Sequence, residues 1–95
     1  MINLETIFSH SRSIVAKKMG AEYVLVPIAN NIADMNSVFI INETGVFIWE
    51  HIDGKRNVEK IILEVSKEYN VDEQTAKKDV SAFIETIKEY LMIKE

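Results

Sequence analysis

The chain has 95 residues, 47% of them hydrophobic and 27% charged, with 11 Lys+Arg against 15 Asp+Glu and a net charge of -4. That is one domain's worth of chain, too apolar for disorder and too small for a deep catalytic cleft. Cysteine is absent, which excludes disulfides, thiolate metal sites and thiol catalysis, and the acidic balance argues against non-specific binding to DNA or an anionic membrane.

In chain order, the polar start with Glu5 lacks the basic and apolar regions of a signal peptide. No apolar run reaches the roughly 18 residues of a membrane span. The cytosol is therefore the expected compartment. A single domain is expected over residues 1–95, with residues 1–12 as a flexible N-terminal segment. Ile14 to Met19 and Glu22 to Ile28 read as two strands joined at Gly20-Ala21, where a glycine at the first central position suits a type II′ hairpin. Pro27 cannot donate a ladder hydrogen bond and is expected at an edge or a strand end. Ala29 to Met35, with Asn30, Asn31 and Asp34, reads as a loop. Ser37 to Ile41 reads as a third strand from its β-branched and aromatic content. It is apolar on both faces, so periodicity leaves open whether it is an edge or a central strand.

The second half reads as three helices. Asn42 caps the first, which carries Ile48, Trp49 and Ile52 and stops at Gly54. Asn57 caps the second, whose Val58, Ile61, Ile62, Val65 and Tyr69 follow the i, i+3, i+4, i+7 pattern, with Asn70 as its left-handed end. Asp72 caps the third, with a stripe of Ala76, Val80, Phe83, Ile84, Ile87 and Leu91. Met92 to Lys94 add a short extended piece. Strands first and helices last predict a small α+β domain, a three-stranded antiparallel sheet followed by three α-helices.

Candidate chemistry is sparse. His10 and His51 lack a second ligand at metal spacing and read as surface or capping residues. Glu73 with Lys77 and Glu85 with Lys88 read as exposed helix ion pairs. Trp49 reads as core. There is no phosphate loop or nucleophile motif, so neither an enzyme nor a cofactor is expected.

From Ile41 onward the residues carry a resemblance. Asn42-Glu43-Thr44-Gly45, Ile48-Trp49-Glu50 and Ile52-Asp53-Gly54-Lys55-Arg56 stand in order, with Val24 to Ile28 and Asp34 to Ser37 upstream. Tyr69 to Asp72, Asp79-Val80 and Phe83-Ile84 follow downstream. Together they resemble PqqD-like proteins over residues 12 to 93. Asn57 departs from the family's usual Thr, and both cap helices. The resemblance implies a winged-helix-like fold and a non-enzymatic peptide chaperone, a recognition element for ribosomally made, modified peptides. Such a protein binds a precursor's leader by strand addition beside the third strand and presents it to a maturase, often a radical S-adenosylmethionine enzyme. Carried over, the peptide site is Ser37, Val38, Phe39, Ile40 and Ile41. Across the groove, the third helix would supply Lys77, Lys78, Ser81, Ile84 and Lys88, with the lysines suiting an acidic leader. An exposed edge would also permit a homodimer. A competing reading is a winged-helix DNA binder using Lys77, Lys78 and Lys88, opposed by Glu73, Asp79, Glu85 and Glu89 on the same helix. A third is a structural partner of a larger enzyme that makes no leader contact.

Overall fold

The computed structural model describes residues 2–29, 32–33 and 38–95. Its elements are β1 (Ser9–His10), β2 (Ile14–Met19), β3 (Glu22–Ala29), β4 (Ile32–Ala33), β5 (Phe39–Ile41), α1 (Glu43–His51), α2 (Val58–Tyr69), α3 (Glu73–Glu89) and β6 (Ile93–Lys94). The expected α+β order is met.

Glycine makes the first hairpin. Met19 pairs with Glu22, leaving a two-residue turn with Gly20 at φ 65° and Ala21 outside the positive-φ region, as type II′ requires. β3 is the central strand, antiparallel to β2 on one side and to β5 on the other. Its Val24, Leu25 and Val26 are all buried because both of its faces are covered. Leu25 joins the helix-side core, while Val24 and Val26 lie outside that cluster. Pro27 is thus inside the central strand, though near its end. The Ile28 N–H bonds the Ser13 carbonyl at 2.6 Å, so the proline nitrogen points the other way, past the last β5 pair, Leu25–Phe39. Within the expected loop, Ile32–Ala33 pairs back on Ile28 and Ala29 as β4. Asn30, Asn31, Asp34 and Met35 lie outside the described residues.

Each helix starts on the predicted side-chain cap. The Asn42 Oδ1 accepts from the Gly45 N–H at 2.8 Å, Asn57 from Lys60 at 2.8 Å and Asp72 from Thr75 at 2.7 Å. The Thr75 bond holds the Asp72 carboxyl below its ordinary 3.8. Asn70 ends α2 at φ 52°, ψ 49°, the left-handed conformation that asparagine tolerates. The core is built from α1, α2 and α3 packed on one face of the sheet.

Two expectations change. The α3 stripe is Ala76, Val80, Ile84 and Ile87, all fully buried, with Phe83 only half-buried. Leu91 is 79% exposed. The helix stops at Glu89, and Leu91 takes φ 58°, so helical spacing no longer sets its direction. Met92 and Ile93 turn inward instead. The N-terminal segment is also not loose. Phe8 is buried, its carbonyl accepts from Gly54, and the Thr6 and Leu4 carbonyls accept from Val58 and Glu59. Those last two N–H groups open α2 and have no partner within the helix. β1 then pairs with β6, joining the two ends of the chain.

Candidate functional site

β5 is short and pairs with β3 alone among the described residues. Ser37 lies outside them. The register fixes what the free side of β5 presents. Since Ile28 bonds toward β2, the even-numbered residues of β3 face β2 and the odd-numbered ones face β5. Tyr23–Ile41 and Leu25–Phe39 are therefore the hydrogen-bonded pairs. Ile40, opposite Val24, turns its N–H and C=O to the open edge. β5 is thus an edge strand with an unused donor and acceptor, which settles the choice that periodicity left open.

Phe39 and Ile41 point toward the helices, Phe39 half-buried and Ile41 buried. The Phe39 ring meets Tyr90, just past α3, with centroids 5.8 Å apart and planes tilted by 52°. A small cavity of about 240 Å³ opens between the start of α1 and α3. Asn42, Thr44 and Gly45 line it from one side, and Asp79, Ala82 and Phe83 from the other. Space is tight at Gly45, because a Cβ there would stand 3.0 Å from Phe83 Cε1 and 3.2 Å from Ile41 Cβ, so a neighbour would have to give by a few tenths of an ångström. The site is an unpaired strand edge beside an aromatic cleft, an arrangement that suits an extended peptide.

The α3 half of the expected site is different. Ile84 is fully buried in the core and lines no groove. At about 100° per residue, Lys77, Ser81 and Lys88 fall on the flank of the buried stripe opposite to Asp79, Phe83 and Tyr90. Lys78 stands on the solvent face, one turn before Ala82. The stripe has two flanks, and only packing against β5 and α1 says which one faces the cleft. None of the three lysines lines this cavity, and the charged group in its lining is Asp79. Phe83, Asp79 and Thr44 line the cavity and Tyr90 meets Phe39 of β5, and sequence reasoning placed none of them at the site. Phe83 looked like core because it lies on the stripe, and Tyr90 lies just outside it.

Both histidines serve the end of α1. The His10 Nε2–H donates to the Trp49 carbonyl at 2.7 Å while its ring stacks on Trp49 at 3.8 Å. The His51 Nδ1–H donates to the Phe47 carbonyl at 2.8 Å. The Trp49 carbonyl also accepts from the Ile52 N–H at 3.2 Å, so His10 adds a second bond at the last turn of α1. Among the described residues, no helix is long and apolar enough to cross a membrane.

Residues 22–93 match the model of a family described as coenzyme PQQ synthesis protein D (PqqD). Among solved structures, TbiB1 in complex with the TbiA(beta) leader peptide is similar, with a TM-score of 0.71 and 21% identity over 90% of this chain and 94% of that one. No curated protein matches the chain.

Proposed function

The chain belongs to the PqqD family, and on that premise we propose that it is a peptide-binding chaperone acting on the leader of a ribosomally made precursor. The observation that carries this reading is the free edge of β5, with the Ile40 backbone groups turned outward beside the Phe39–Tyr90 contact. A leader laid along β5 exchanges main-chain hydrogen bonds with Ile40 and places alternate side chains against the cleft. The fold likeness to a protein solved with a leader peptide supports the same use of the scaffold. The protein holds the peptide, and a separate maturase, in this reading a radical S-adenosylmethionine enzyme, performs the chemistry in the cytosol. Asp79 rather than a lysine row sets the charge of the cleft, so a basic or neutral leader residue suits that position better than an acidic one. The DNA-binding reading gains no support from α3, whose exposed Lys77, Lys78 and Lys88 alternate with exposed Glu73, Asp79, Glu85 and Glu89.

The test is titration of the isotope-labelled protein with the leaders of short precursors encoded beside its gene. The expected result is binding at about micromolar affinity, with the Ile40 amide and the Phe39, Phe83 and Tyr90 rings perturbed. No binding at about tens of micromolar by any such leader would sink the proposal.

A further inference from the structure

A second concavity lies on the other side of α1, outside the cleft. It measures about 810 Å³ and opens between the tip of the β2–β3 hairpin, Ile40 and Ile41 of β5, α1 and the end of α2. Its apolar wall is aromatic. Tyr23, Phe47 and Tyr69 line it, all half-buried, with Phe47 and Tyr69 edge to face at 5.6 Å. Its mouth is acidic, since the exposed Glu22, Glu43, Glu50 and Glu68 stand around it against the single cation Lys18. Among the described residues, none of these glutamates is in an ion pair; the pairs are Asp53–Arg56 and Lys60–Glu64.

The carboxylates act on the wall itself. Ionisation of the Tyr69 hydroxyl is pushed up, first by burial and then by Glu43 and Glu68. A negative potential over aromatic faces is the environment that a guanidinium fits best. It is planar, stacks on rings and pairs with carboxylates through two N–H groups at once. A free small cation would gain little at exposed carboxylates. An arginine projecting from a protein surface also brings apolar area to cover the wall. Within α1, Glu43, Val46, Phe47 and Glu50 line the concavity whereas Thr44, Gly45 and Ile48 line the cleft; Asn42 lines both, and Ile40 and Ile41 bring the concavity up to β5.

The geometry points to this concavity as the docking site for an arginine-bearing surface segment of a second protein, occupied while the peptide lies on β5. That the second protein is the modifying enzyme rests on the proposed function; the docking chemistry does not. One face of α1 then borders the substrate and the other the enzyme.

The experiment is a nuclear magnetic resonance titration of the whole chain with acetyl-Gly-Arg-Gly-amide, its neutral citrulline counterpart, and free arginine. The arginine peptide is expected to shift the Tyr23, Phe47 and Tyr69 rings with about tenfold higher affinity than the citrulline peptide. Added salt should narrow that gap. The double variant Glu43→Gln, Glu68→Gln should abolish it while leaving leader binding at Phe39 and Tyr90 unchanged. If that variant does not fold, Glu22→Gln with Glu50→Gln replaces it. Equal binding of the arginine and citrulline peptides overturns the proposal, as do shifts confined to Phe39 and Tyr90. Free arginine binding as well as the capped peptide overturns it too, by marking a small-molecule site. The leader test is told apart by the Phe39, Phe83 and Tyr90 rings, none of which lines this concavity.

Discussion

Gly45 sits inside α1, where glycine costs about 1 kcal/mol of helix propensity relative to alanine. The reason it stands there is nonlocal. Phe83 and Ile41 approach so closely that a methyl group must displace one of them. Ile41 is fixed by its pairing with Tyr23, whereas the half-buried Phe83 can swing into the cavity beside it. In Gly45→Ala, a propensity gain of about 1 kcal/mol therefore opposes an overpacking cost of about 1–3 kcal/mol. The melting temperature should stay level or fall slightly, while leader affinity drops about tenfold as Phe83 fills the cleft. Thermal melts and a leader titration check both halves. A stabilised variant with unshifted Phe83 signals would show that the close approach is not needed. The cap residues Asn42, Asn57 and Asp72, by contrast, act on N–H groups three residues away. Their roles were legible in the sequence for that reason.

At the scale of the element, β5 has two kinds of residue. The Ile41 N–H serves the ladder to β3, and its side chain is buried. The Ile40 N–H faces outward, and its side chain is 61% exposed. Proline at the two positions should separate folding from binding. Ile40→Pro removes no internal bond and should cost under about 1 kcal/mol, yet abolish leader binding. Ile41→Pro should cost at least about 3 kcal/mol, since it loses a ladder bond and a buried side chain together. Urea midpoints and titrations on both variants decide this. Full leader binding by Ile40→Pro would rule out strand addition at this edge. The sequence located the strand, but whether it is an edge depends on β3 taking the centre. The same limit applies to α3, where the buried stripe was readable and the flank facing β5 was not.

Across the whole molecule, the two ends of the chain support each other. Leu4, Thr6 and Phe8 offer carbonyls to Glu59, Val58 and Gly54, and β1 pairs with β6. The Ser11 N–H also bonds the Met92 carbonyl at 2.9 Å. Phe8→Ala should then cost about 3–5 kcal/mol. That is a large part of the roughly 5–15 kcal/mol that holds a domain together. Urea denaturation is the check, and an unchanged midpoint would mean that the segment is an appendage after all. The family match begins only at residue 22, so this strap lies outside the part of the chain that the family model describes.

By itself, the sequence determined where the three longer strands lie along the chain, the hairpin at Gly20, the three helix starts and most of the buried stripes of α2 and α3. All of these rest on interactions between residues a few positions apart, or on a single period. Only the tertiary structure decided that β5 is the free edge among the described residues, that Asp79 and Phe83 rather than the lysines line the cavity beside α1, and that Phe8 belongs to the core. Each of those depends on which distant segments meet. No local preference encodes that choice, because the packing of the whole chain selects it.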